Sequence, residues 1–95
     1  MKKYEVMFII APSLEEEAIE AAIAKYSDII TTNGGEIEKV EKWGKRRLAY
    51  DIDRITEGYY VLTLFQSPSS VCQELERLLR IDEEILRYLI VLREE

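Results

Sequence analysis

The sequence contains no histidine. Histidine is the commonest general base and the commonest metal ligand, so its absence effectively excludes zinc sites and Ser-His chemistry. Cys72 is the only cysteine, and no intramolecular disulfide can form. It falls in an apolar helical pattern and is expected to act as a small buried hydrophobe. No apolar run approaches the roughly 20 residues a membrane helix needs. The opening stretch MKKYEVMFIIAPS joins two lysines to an apolar run, as a signal peptide does. The run is too short, contains Glu5 and lacks a small-residue cleavage site. It reads as a first strand, and a cytoplasmic protein with no membrane partner is expected. The densest carboxylate group, Glu15 to Glu17, reads as a solvated helix start, so neither an enzyme nor a small-molecule substrate is expected.

What is present suits one globular domain. Ninety-five residues are expected to form a single domain over 1–95. Such a chain buries somewhat over roughly 60% of the surface its unfolded form exposes, enough for one modest core. Hydrophobic residues make up 47% and charged residues 34%, a globular composition rather than a disordered one. The formal net charge is -6, which argues against non-specific binding of polyanions by net charge alone. The distribution is uneven. Five of the 13 bases lie between Lys42 and Arg54, around a Trp-Gly pair, while acids gather at Glu15 to Glu17, Glu20, Asp82 to Glu84 and Glu94-Glu95.

No repeat, linker or low-complexity segment interrupts the chain. YEVMFIIA alternates as a strand does, with Tyr4, Val6, Phe8 and Ile10 on one face and Glu5, Met7 and Ile9 on the other. A helix follows, with Ser13 and Glu16 at capping-box spacing. Leu14, Ala18, Ala22, Tyr26 and Ile30 form its apolar row, and Gly34-Gly35 its stop. EIEKVEKWGKRRLAYDID reads as a long polar strand in which Gly44 marks a bend or bulge. GYYVLTLFQ is a third strand. SPSSVCQELERLLRI is a second helix, with Pro68 in its first turn, a buried row of Val71, Leu75, Leu78 and Leu79, and Glu76 spaced to pair with Arg80. EILRYLIVLRE is the last strand, with Leu86, Tyr88, Ile90 and Leu92 facing one way and Arg87, Leu89, Val91 and Arg93 the other.

The order βαββαβ predicts an α+β, ferredoxin-like sandwich. Right-handed crossovers place both helices on one face of a four-stranded antiparallel sheet of order 4-1-3-2. The second strand is then an edge, where charged residues discourage strand addition. On the uncovered face, Met7, Ile9, Leu89 and Val91 form an apolar patch ringed by Glu5, Arg87 and Arg93. Tyr60, Leu62 and Leu64 join it if Tyr59, Val61 and Phe65 are the buried set of strand three. A contiguous patch of this kind usually meets a partner. EGYYVLTLF is only a poor match to the third-strand pattern of RNA-recognition domains, because Glu57 replaces the base and Tyr60 the second glycine.

At WGKRRLAYDI the sequence resembles the bacterial small-subunit ribosomal protein six family. The resemblance extends to KKYEVMFIIAPS, NGGEIEKVEKWGKRRLAY, EGYYVLTLF and ELERLLRIDEEILRYLIV, and departs at Asp51, where many members carry proline. It implies a non-enzymatic protein without a cofactor. It also implies binding to the central domain of small-subunit ribosomal RNA as a heterodimer with small-subunit ribosomal protein eighteen. Lys45, Arg46 and Arg47 match the family's basic signature, and Tyr4, Glu5 and Arg87 match other recurrent positions. The expected RNA-binding set is Lys3, Lys42, Lys45, Arg46, Arg47, Arg87 and Arg93. The expected partner-binding set is Tyr4, Glu5, Met7, Tyr60, Leu62, Leu89 and Val91. Glu5 cannot attract phosphate and is expected to pair with a base. Leu48 and Tyr50 are expected to pack, and Trp43 to cover the edge of the core rather than stack a base. The competing reading is a ferredoxin-like oligomerising or small-molecule-sensing module without RNA binding, because fold alone does not fix function.

Overall fold

Apolar spacing explains most of the elements in the computed structural model, which describes residues 1–52 and 54–93, with the side chains of residues 51 and 52 excepted. The departure at Asp51, the last residue of the predicted second strand and the acidic pair Glu94-Glu95 lie outside those described residues or side chains. Strand β1 (Lys2–Ile10) buries Tyr4, Val6, Phe8 and Ile10, the even set of its alternation. Helix α1 (Glu16–Thr32) lays Ile19, Ala22, Ile23, Tyr26 and Ile30 against that set. The Ser13–Glu16 capping box does not form. Glu15 occupies the N-cap position in an extended conformation with no side-chain cap bond, so the helix begins later than Ser13 would require. Glu16 and Glu17 in the first turn still suit the positive end of the helix dipole. Gly34, at φ +91°, takes the left-handed conformation that ends the helix.

Strands β2 (Glu36–Ile52) and β3 (Ile55–Ser67) form a long antiparallel hairpin. Helix α2 (Ser69–Ile81) buries Val71, Leu75 and Leu79, while Leu78 and Cys72 are only half-buried. Burial is the main cause that pushes the Cys72 thiol upward, so it stays protonated and inert at neutral pH. Pro68 is the N-cap of α2 rather than part of its first turn. Glu74 takes the helix-surface ion pair, with Arg77 at 2.6 Å, in place of the expected Glu76–Arg80 pair. Strand β4 is Ile85–Leu92.

The sheet order is β2-β3-β1-β4, all neighbours antiparallel, which is the predicted 4-1-3-2 read from the other edge. Both helices pack on one face, where Phe8, Phe65, Val61, Tyr26 and Leu75 form the centre of the core. Each of these large side chains contributes about 1.5–3 kcal/mol on burial. Two spacings need bulges. Ile37 and Val40 both pack against the core although they are three apart, an odd spacing that a regular strand sends to opposite faces. A register shift between Ile37 and Lys39 supplies the missing step. In β4, Ile9 is opposite Arg87 but Ile10 is opposite Ile85, so Ile85 reaches the core instead of the predicted Leu86.

The turn into β4 is tied back to α1. The Tyr26 hydroxyl donates to Asp82 Oδ2, the Glu84 backbone N–H donates to Asp82 Oδ1 at 2.9 Å, and Lys25 Nζ lies 3.4 Å from Oδ2. Partial burial opposes ionisation of Asp82. The bonds from Tyr26 and Glu84, with the Lys25 charge, outweigh it and hold the carboxyl below its usual range.

Candidate nucleic-acid and partner interface

Cross-strand register fixes what the uncovered face carries, because directly opposed residues share a face. Glu5 lies between Leu64 and Val91, Met7 between Leu62 and Leu89, and Ile9 between Tyr60 and Arg87. Val61 and Phe65 are fully buried on the helix side and Tyr59 packs at the core's margin, so Tyr60, Leu62 and Leu64 belong to the open face. Exposure is uneven across it. Leu89 is 62% exposed and Val91 38%, whereas Ile9 and Leu62 are nearly covered. Leu62 is therefore part of the floor of the patch, and the accessible apolar surface lies over β4. Glu5 has no ion-pair partner among the described residues.

The bases of β2 divide between the two faces. Lys42 is opposite Val61, on the helix side, and its Nζ meets Glu20 of α1 at 2.6 Å. That bond is the main cause raising the Lys42 pKa. Lys42, one of the expected RNA-binding bases, therefore lies on the helix side with its charge paired. A second register shift, between Lys42 and Gly44, inserts Trp43 as the bulged residue, with Gly44 at φ +82°. Beyond it, Lys45 is opposite Tyr59, Arg46 opposite Gly58 and Arg47 opposite Glu57. Alternation puts Arg46 on the open face and Lys45 and Arg47 on the other.

The bulge changes the role of Trp43. Its indole runs parallel to the Tyr60 ring, 9° between planes and 6.4 Å between centroids, and its Nε1–H donates to Glu41 Oε1 at 3.1 Å. The Arg46 guanidinium lies over the indole, 4.9 Å from its centroid. Trp43 thus sits on the open face rather than over the edge of the helix-side core. The Trp43 bond is the main influence that holds the Glu41 carboxyl low.

The hairpin end folds over the same face. Leu48 is buried against Gly58 and Ile9, and a Cβ at Gly58 would overlap Ile9 Cγ2. Leu48 packs as expected, but Tyr50 is 58% exposed. Its ring carries the Arg87 guanidinium at 4.8 Å, which joins the hairpin to β4. Ile9, Leu48, Ala49, Tyr50, Tyr60 and Arg87 line a cleft of about 150 Å³ beneath this contact.

Two further expected site residues are engaged within the fold. Tyr4 is buried on the helix side, stacked on Phe65 at 5.7 Å, so it is not presented to a partner on the open face. Arg93 is spent within the fold: its Nε donates to Tyr4 O at 3.0 Å, and its Nη2 donates to Phe65 O at 3.2 Å and Glu38 Oε1 at 2.9 Å. Gln66 Nε2 completes the clasp on Glu38 at 2.8 Å. Arg93 is the main influence lowering the Glu38 pKa, followed by Gln66. Lys3, opposite Gln66, stays on the open face beside this clasp. The sequence reading missed the Tyr60–Trp43–Arg46 grouping, the Tyr50–Arg87 contact and the fit at Gly58. Counting side-chain phase through the bulge at Gly44 would have found the first.

Fold and site together define a ferredoxin-like α+β domain that leaves one sheet face open, apolar over β4 and basic at Arg46 and Arg87. The model of the family described as Ribosomal protein S6 matches residues 3–92. A small ribosomal subunit protein bS6 from Clostridium acetobutylicum is 50% identical over 91 residues, covering 96% of each chain. One from Thermoanaerobacter pseudethanolicus is 50% identical over 95 residues, covering 100% of each. The crystal structure of 30S ribosomal protein S6 from Thermotoga maritima superposes with a TM-score of 0.92 at 39% identity, covering 97% of this chain and 87% of that one. The chain belongs to the ribosomal protein S6 family.

Proposed function

We propose that this chain is a structural component of the bacterial small ribosomal subunit, and hence cytoplasmic. It binds small-subunit ribosomal RNA of the central domain jointly with small-subunit ribosomal protein eighteen. Its relatives are named as small-subunit ribosomal proteins, a family of structural rather than enzymatic proteins. The observation that carries the finer reading is the open face, where exposed Leu89 lies beside Arg87, Val91 follows on the same strand, and Arg46 shares the face from β2. Apolar surface of this kind suits a protein partner. Glu5, Met7, Tyr60, Leu62, Leu89 and Val91 form the protein-binding part. Lys3, Arg46 and Arg87 are its basic members, while Lys45 and Arg47 reach RNA only if it wraps the hairpin's edge. Glu5 then meets a base of the partner.

The net charge of -6 fits a shared site in which the partner supplies most of the positive field. The test is filter binding of central-domain RNA across a salt series, with and without protein eighteen. Weak binding alone and a large gain with the partner are expected. Strong partner-free binding with a steep salt slope overturns the joint-site reading. A stable homodimer burying β4 in sedimentation favours an oligomerising module instead.

A further inference from the structure

We propose that Trp43 is a positioning residue, whose indole holds the Arg46 guanidinium on the open face for in-plane contact with an RNA phosphate. The inference rests on the RNA-binding reading above and assigns one base of the site a defined task. Arg46 is exposed on an edge strand, where a long side chain samples many rotamers. The indole limits that sampling by holding the guanidinium over its ring, with Cζ 4.9 Å from the centroid. The cation–π contact uses none of the guanidinium N–H groups as donors, and no carboxylate among the described residues pairs with them, so they stay available to grip two phosphate oxygens.

The indole is itself fixed. Tyr60 runs parallel to it, Glu41 accepts its N–H, and the bulge at Gly44 sets its backbone. Its contacts are made within the protein, which distinguishes it from an aromatic side chain held free to stack a base. The charge of Arg46 is also unspent. Lys25, Lys39, Lys42, Arg77 and Arg93 each meet a carboxylate within 4.0 Å, but Arg46 meets none among the described residues. Without the bulge, Trp43 and Arg46 would lie three apart on opposite faces and could not meet.

The experiment measures RNA affinity of the complex with protein eighteen across a salt series for Arg46→Ala, Trp43→Leu, Trp43→Phe and the Arg46→Ala/Trp43→Leu double variant. Urea midpoints confirm that each is folded at the assay temperature. Arg46→Ala is expected to lower affinity about tenfold and to reduce the salt slope by about 1. Trp43→Leu is expected to reproduce most of both effects although it removes no charge. The double variant should bind no worse than Arg46→Ala alone, since both act on one contact. Trp43→Phe should restore most of the affinity and slope. A wild-type slope in Trp43→Leu, or losses that multiply in the double variant, overturns the positioning role while leaving the RNA-binding reading intact. No RNA binding by the wild-type complex overturns both.

Discussion

Replacing Tyr26 with Phe removes one hydroxyl from a ring that is 2% exposed, and leaves the ring's packing on Phe8 in place. The lost bond runs to Asp82, and a hydrogen bond to a charged group contributes about 1.5–3 kcal/mol. Asp82 keeps Lys25 and the Glu84 N–H, so its charge is not orphaned and the expected cost is about 2 kcal/mol. In a domain of this size that lowers Tm by roughly 8–16 °C. Urea unfolding followed by circular dichroism reads the change directly.

Its pH dependence has a required sign. The folded Asp82 pKa lies below the unfolded one, so its stabilising effect is complete above the ordinary Asp pKa of about 3.9 and fades as pH falls through the folded value. The difference between wild type and Tyr26→Phe must therefore shrink at the acid end. It must shrink at the alkaline end too. Burial, then the Asp82 bond, push the Tyr26 pKa well up, so the folded hydroxyl keeps its proton above pH ~10 where the unfolded one loses it. Stability from this group is full below pH ~10 and is lost as pH rises further. A loss under about 0.5 kcal/mol at pH 7, or one equal at pH 2.5 and pH 7, refutes the reasoning, since a bond to a charged carboxylate exceeds the first.

Gly44→Ala meets nothing within 4 Å, so only its φ of +82° opposes it, and denaturation should report a cost of about 1 kcal/mol. Gly58→Ala drives a methyl into Ile9 and should cost about 1–3 kcal/mol, with new exposure of Leu48 measurable by hydrogen exchange nearby. Arg46→Ala and Arg47→Ala should each leave stability within about 0.5 kcal/mol. In reconstitution with protein eighteen and RNA, Arg46→Ala should impair assembly more than Arg47→Ala, and equal effects would contradict the division of faces.

The architecture was legible because β1, β4 and both helices carry readable periods, β2 and β3 read as strands from composition and turn signals, and the crossover rule then leaves one sheet order. The open face was legible on β1 and on β4 from Arg87 onward, where alternation is regular. It was ambiguous on β3, where both sets are apolar, until burial of Val61 and Phe65 separated them. β2 resisted because its bulges shift the phase of its side chains. Lys42, Arg46 and Arg47 look equivalent in sequence, yet one meets α1 and the other two face opposite ways. Arg93 resisted for another reason: its partners, Glu38, Tyr4 O and Phe65 O, come from three other strands, a convergence no local pattern records.

The first two register shifts of β2, at Ile37/Lys39 and Lys42/Gly44, cancel in phase. Each slips the alternation by one residue, so Ile37 and Arg46 keep the sides they would have on an uninterrupted strand, and only the span from Lys39 to Lys42 is inverted. That span behaves as a reversible cassette. Removing both bulges together would turn Val40 outward and Lys39 and Glu41 inward, with the hairpin end undisturbed. Straightening one alone, with no residue deleted, would exchange Arg46 for its neighbours Lys45 and Arg47 on the open face. Excising an extra residue, Glu38 or Trp43, would instead leave every remaining cross-strand pair on its present face, so the placement of the bulges carries information that residue identities alone do not.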